Sequence, residues 1–84
     1  MAGYFIVDTE NVSAKALVSV FDSKKPGWSN VAQAFMMNGL LMLEFNGAAD
    51  AAMGERIQEA VWAVNGGAYC DVRELSGDQF DAYC

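Results

Sequence analysis

VAQAFMMNGLLMLEF, residues 31–45, is the stretch that decides the predicted fold. At its centre lies Asn38-Gly39, a strong signal for a two-residue hairpin turn, because both residues tolerate the positive φ that a type I′ turn requires. The apolar runs on either side therefore predict two strands, 31–37 and 40–46. The hairpin indicates an architecture and a surface, but no catalytic, metal-binding or nucleotide-binding pattern accompanies it.

A two-residue turn also predicts which residues share a face of the hairpin, since side chains alternate along each strand. The pairs predicted on one face are Met37 with Leu40, Phe35 with Met42 and Gln33 with Glu44. The other face is wholly apolar, and we assign it to a core beneath the helices, where small side chains leave room for packing. Its residues are Ala32, Ala34, Met36, Leu41, Leu43 and Phe45.

The first of these faces is predicted to point away from the helices, yet it is largely apolar. A contiguous exposed apolar area usually marks an interaction site, and methionine suits an adaptable one. We expect a homodimer through this sheet face; the alternatives are a foreign partner and coverage by a terminal segment with Phe80 and Tyr83. The predicted interface residues are Phe35, Met37, Leu40, Met42, Tyr4 and Tyr69.

The segment before the hairpin is predicted to form a strand and a helix. Residues 4–7, YFIV, are typical of a strand, and Asn11 is placed to cap a helix whose apolar residues recur at helical spacing as far as Phe21. Residues 12–20 also alternate as a half-exposed strand would. That alternative stays open, and it would give a β-meander crossed by one long helix.

The segment after the hairpin is predicted to form a helix, a strand and a short terminal turn or helix. Asp50 can cap the helix and Gly66-Gly67 can end it, while residues 68–74 alternate as a strand does. The order β-α-β-β-α-β is typical of a two-layer ferredoxin-like sandwich. We therefore predict one α+β domain over residues 1–84, with an antiparallel sheet and both helices on one face.

The charge balance narrows the class of partner. Eleven acidic residues, five basic ones and no histidine give a net charge of −6, which repels phosphate backbones and favours basic proteins. The absence of histidine also removes the common nucleophilic and acid–base mechanisms. Direct binding of nucleic acid is therefore not expected, and a protein partner with a basic surface is. The predicted partner-binding residues are Asp71, Glu74, Asp78 and Asp81.

Residues 5–11, FIVDTEN, resemble the opening of PIN-type and NYN nuclease domains, in which a hydrophobic strand ends in a metal-binding aspartate. The resemblance implies that Asp8 would bind a metal ion. Those domains are longer and use further acidic residues at later strand ends, in an order that this chain does not show. We therefore explain Asp8 and Glu10 by the positive end of the helix that Asn11 is predicted to cap. No enzymatic activity is expected.

Composition also bears on location and cofactors. Cys70 and Cys84 have neither CxxC spacing nor histidine companions, so free thiols in a reducing compartment are expected rather than a zinc site. The start of the chain lacks the pattern of a signal peptide, and no apolar run is long enough for a membrane span. We expect a cytoplasmic protein with no cofactor, no metal and no membrane contact.

These observations predict a small acidic module that binds a protein and has no catalytic role. It would act as an inhibitor or adaptor by blocking a basic surface of its partner. Phage-type antagonists of nucleic-acid-targeting machinery are one setting that fits such a composition. The alternative is a ferredoxin-like dimeric regulatory domain that binds a small ligand.

Overall fold

The computed structural model describes residues 2–47 and 51–83, which form a four-stranded antiparallel sheet and three helices. The protein is thus of the α+β class, as predicted. Its elements in chain order are β1 (Ala2–Thr9), α1 (Ala14–Val20), β2 (Val31–Met37), β3 (Leu40–Asn46), α2 (Ala51–Asn65), β4 (Cys70–Leu75) and α3 (Gly77–Tyr83).

The predicted hairpin is confirmed in its strand bounds, its turn and most of its register. Asn38 and Gly39 have φ values of 52° and 80°, the left-handed conformation that a type I′ turn requires. The turn therefore places Met37 opposite Leu40, and the pairs farther along the hairpin follow as predicted. Gln33 also donates a side-chain hydrogen bond of 2.6 Å to Glu44.

The prediction that Ala32 belongs to the core is wrong. The register of β2 shifts between Val31 and Gln33, so that Val31 rather than Ala32 pairs with Phe45. Such a β-bulge adds a residue to one strand and changes which side chains point inward beyond it. Val31 is therefore buried and Ala32 is exposed.

The main core lies between one sheet face and the first two helices. The strand order β2-β3-β1-β4 places β3 and β1 at the centre of the sheet. Leu41 and Leu43 of β3 are completely buried there, as predicted. Residues of other elements that close this core are Phe5, Val7, Leu17, Phe21, Ile57 and Val61.

For residues 12–22, where helix and strand stood as alternatives, the structure has the helix α1 over Ala14–Val20, but its predicted cap is wrong. Ser13 caps α1, because its side-chain oxygen accepts a 3.1 Å hydrogen bond from the backbone N–H of Ala16. Asn11 instead lies in the left-handed region, with φ of 62°. Leu17 faces the core, so burial of that side chain selects the helix over the alternating pattern.

The second helix ends as predicted, because Gly66 and Gly67 both adopt positive φ directly after Asn65. Its predicted cap, Asp50, lies outside the described residues. Among the helices of the described segments, none has the length and apolar character that crossing a membrane requires.

The third helix is where the architecture differs from the predicted two-layer sandwich. Ser76 and Gln79 form a capping box: the backbone N–H of Ser76 donates to the Gln79 side chain, and that of Gln79 donates to Ser76 Oγ. The helix packs Phe80 against Ile6 and Met42, on the sheet face opposite α1 and α2. The helices α1 and α2 share one face of the sheet, as predicted, but α3 adds a helix on the other face, so the sheet is covered on both sides.

Candidate functional site

The third helix covers the apolar sheet face that the sequence suggests is open. Phe80 is buried, and its ring centroid lies 4.7 Å from that of Tyr4 and 6.0 Å from that of Phe35. Met42 is 0% exposed beneath this helix and has no surface to offer a partner, so its place in the predicted interface is wrong. The coverage by Phe80 that stood as an alternative is what the structure contains.

The other predicted interface residues remain partly or fully accessible around this small second core. Tyr4, Phe35, Met37 and Leu40 pack against it and are half-buried. Tyr69 lies just before β4 and is 50% exposed. The face is therefore an apolar rim around a covered centre, rather than one continuous apolar sheet surface.

A cleft remains at the end of this face that α3 does not cover. Its volume is about 160 Å³, and it has an apolar side with Ile6 and Leu40 and an acidic side with Asp8 and Asp71. Arg73 and Tyr83 complete its lining. The cleft is thus formed by residues of β1, β3, β4 and α3.

The acidic side of the cleft is a pair of like charges held together by the sheet. Asp8 of β1 and Asp71 of β4 are direct cross-strand neighbours, an arrangement that destabilises an antiparallel pair. Arg73 compensates in part, because its Nε donates a 2.9 Å hydrogen bond to Asp71 Oδ2. The contact with Asp71 raises the pKa of Arg73, so this guanidinium stays charged. The cleft thus holds two carboxylates and one guanidinium group.

The excess negative charge affects the neighbouring titratable groups. Desolvation raises the pKa of Tyr69 and of the Cys70 thiol, and the charges of Asp71 and Asp8 raise both further. A negative field favours the neutral form of a phenol or a thiol. Asp8 and Asp71 therefore create the field into which a cationic group would be attracted.

This field predicts how Cys70 reacts with an alkylating reagent. In a Cys84→Ser background, the rate of alkylation by iodoacetamide should rise with pH at a higher midpoint in the folded protein than in the denatured chain, where about 8.5 is expected. Asp71→Asn should lower the folded-state midpoint by removing one of the two nearby charges, although burial remains the larger cause.

The control for this measurement is Glu74→Gln, a neutralisation on the same strand that is not among the causes of the Cys70 shift. It should leave the midpoint unchanged. A midpoint that moves equally with Asp71→Asn and Glu74→Gln would contradict a local field at the cleft.

The predicted group of four acidic residues does not form one surface. Asp71 lies on the α3 face of the sheet, and Asp78 and Asp81 are exposed on α3 itself. Glu74 is the cross-strand neighbour of Phe5, whose side chain belongs to the main core, so Glu74 belongs to the opposite face. Residues three apart on a strand point to opposite faces, which separates Glu74 from Asp71.

The arrangement of charges at the cleft can attract a cation. Within residues 2–47 and 51–83, no three His, Cys, Asp or Glu side chains come close enough to hold a metal ion. The pair of Asp8 and Asp71 can accept hydrogen bonds from an ammonium or guanidinium group, and the apolar side with Ile6 and Leu40 can receive an aliphatic chain. This is the chemistry of a lysine or arginine side chain.

Sequence reasoning assigned Asp8 to a helix terminus and missed its place in the cleft. The structure puts Asp8 opposite Asp71, which sequence reasoning did select. Strand alternation could have predicted this position, since Asp8 lies two residues beyond Ile6 on the same face of β1.

Comparisons of the chain with protein-family models, with curated proteins and with solved structures found no match.

Proposed function

We propose that this protein is an acidic module without a catalytic role that binds a basic protein through its α3 side and acts as an inhibitor or adaptor. The observation that supports this most is the cross-strand pair of Asp8 and Asp71. Of these two carboxylates, Asp71 forms an ion pair with Arg73. A basic side chain of a partner would relieve that repulsion on binding.

The surroundings of the cleft support a basic partner. Asp78 and Asp81 are exposed on α3, and in the described part of the chain neither has a lysine or arginine within ion-pair distance. Together with Asp8 and Asp71 they give the α3 side an acidic surface. Complementary charge of this kind raises association rates and selects against wrong partners.

The size of the cleft beside Asp8 and Asp71 favours a side chain of a protein partner over a free small ligand. The cleft of about 160 Å³ is smaller than the roughly 300–1,000 Å³ of typical small-molecule sites. It is open to solvent, so it would bury one side chain rather than enclose a ligand. This cleft therefore supports the protein-binding proposal, and the small-ligand regulatory domain stays the alternative.

The proposal includes a fold relationship and a compartment. The order of the first six elements and the antiparallel strand order β2-β3-β1-β4 support a ferredoxin-like sandwich to which α3 has been added. The free thiol of Cys70 supports a reducing compartment such as the cytoplasm.

The proposal predicts that reversing charge on α3 weakens binding of the partner. The immobilised protein would first capture a basic partner from a lysate of its source organism, and the purified partner would then be titrated against variants. Asp78→Lys with Asp81→Lys should raise Kd by about tenfold or more, with a steep dependence on salt.

The matched control is Glu55→Lys with Glu59→Lys, which changes the net charge equally at two exposed positions of α2. This control should change Kd by no more than about threefold, as expected for charges remote from an interface. Equal losses for the two double variants would show that net charge alone drives binding and would reject the α3 side as the site. Capture of no basic protein would reject the function itself.

A further inference from the structure

The two edges of the sheet differ in how they are protected from other strands. The strand order leaves β2 and β4 with one neighbour each. The edge strand β4, CDVREL, carries three charged residues, whereas β2, VAQAFMM, carries none. Charged residues are a common means of preventing edge-to-edge pairing, so β2 is the unprotected edge.

The hairpin geometry shows which backbone groups of β2 are free to pair. In a two-residue hairpin, the residues beside the turn, Met37 and Leu40, form a hydrogen-bonded pair, and bonded and non-bonded pairs then alternate. Met36 and Ala34 pair with β3 at the non-bonded positions. Their N–H and C=O groups consequently point away from β3, toward the open edge.

We propose that a second copy of this chain pairs antiparallel with β2 and joins the two sheets into one of eight strands. A two-fold axis at Phe35 lets Met36 of each copy exchange hydrogen bonds with Ala34 of the other. Phe35 then faces its own copy in the close, non-bonded pair. The same surface serves both copies, as a closed dimer requires. In each copy, the β-bulge between Val31 and Gln33 ends this pairing toward the start of β2.

The acidic pair Asp8 and Asp71 does not prevent this arrangement, although each chain has a net charge of −6. The acidic side of the cleft, with Asp8 and Asp71, lies on β1 and β4, which are not neighbours of β2. With strands about 4.8 Å apart, the two β4 strands of such a dimer lie about 34 Å from each other. This greatly exceeds the Debye length of about 8 Å at physiological salt, so repulsion between the two β4 strands is screened.

The side chains of β2 also suit a second copy. Phe35 and Met37 are half-buried on one face and Ala34 and Met36 on the other, so each face keeps apolar surface that a neighbouring strand would cover. A groove of about 270 Å³ runs beside the strand, and its lining includes Ala32 of β2 and Val18 in the last turn of α1. It leaves space for side chains of the second copy next to the edge.

Concentration-dependent amide exchange of the full chain tests the proposal, with sedimentation equilibrium on the same samples. The dimer fraction should rise with concentration up to about 1 mM. The amides of Ala34 and Met36 should exchange quickly when dilute and slowly when concentrated, while that of Met37, already bonded to β3, should stay slow. A monomer throughout, or a dimer in which Ala34 and Met36 exchange quickly, overturns the proposal.

Two variants of Ala34 distinguish a dimer that forms through β2 from dimers that form through other surfaces. Ala34→Pro removes the outward N–H without breaking a hydrogen bond to β3, so it should raise the dimer Kd by about tenfold or more. The control Ala34→Ser keeps that N–H and should change Kd by less than about threefold.

Circular dichroism checks that both variants fold. If the proline variant does not fold, the exchange result on the unaltered chain decides. Equal dimer Kd values in two folded variants overturn the proposal. Slow amide exchange of Ala34 and Met36 that appears only when a foreign protein is added overturns it too. The proposal does not depend on the acidic α3 side, since neither variant alters it.

Discussion

Phe80→Ala is expected to lower the free energy of unfolding by about 3–5 kcal/mol, the usual cost of removing a buried phenylalanine side chain. Phe80 is 4% exposed, and it is the residue by which α3 packs against Ile6 and Met42. Without this ring α3 loses its contact with the sheet, because a helix of seven residues is not stable alone. Denaturant unfolding monitored by circular dichroism measures the loss.

The control for Phe80→Ala is Tyr83→Ala on the same helix. Tyr83 is 41% exposed, so its truncation should cost less than about 1.5 kcal/mol. Binding of a dye that reports exposed apolar surface should increase for Phe80→Ala, because Met42 becomes accessible, and should stay low for Tyr83→Ala. A cost below about 1 kcal/mol for Phe80→Ala would mean that α3 does not hold the sheet face closed.

Asn65→Ala is expected to lower the free energy of unfolding by about 2–3 kcal/mol, since it leaves buried polar groups without partners. Asn65 is 7% exposed. Its Nδ2 donates to Thr9 Oγ1 at 2.8 Å and to the carbonyl of Ala68 at 3.2 Å, and its Oδ1 accepts from the N–H of Gly67 at 3.0 Å. One amide side chain thus joins the end of α2 to the end of β1.

A double-mutant cycle with Thr9→Val tests this explanation. The Thr9 hydroxyl donates a 2.8 Å hydrogen bond to the carbonyl of Tyr69 while accepting from Asn65, so the two side chains belong to one network. Their effects on the free energy of unfolding should therefore be non-additive by at least about 0.5 kcal/mol. Strictly additive losses would contradict a shared network.

The hairpin shows how much of this fold local patterns can predict. Asn38-Gly39 specifies its own turn, and the turn sets the register of the next residues by backbone geometry. The prediction fails at Ala32, where the β-bulge changes the alternation. A bulge depends on how the whole strand lies on its neighbours, and no residue pattern in β2 reveals it.

The candidate site was predictable only in part, because its residues come from distant parts of the chain. Composition drew attention to Asp71, Asp78 and Asp81, of which Asp78 and Asp81 are exposed and Asp71 is half-buried. Pairing of β1 with β4 is what brings Asp8 beside Asp71, and strand alternation is what separates Glu74 from them. Register between strands at opposite ends of a chain is set by the packed sheet.

Sequence alone was sufficient for the α+β class, the hairpin turn and the bounds of β2 and β3, because each depends on conformational preferences within a few neighbouring residues. Packing in three dimensions was needed to choose the helix for residues 12–20 and to place α3 over Met42. Burial of Leu17 and Phe80 makes those choices, and apolar surface is buried only when distant segments meet.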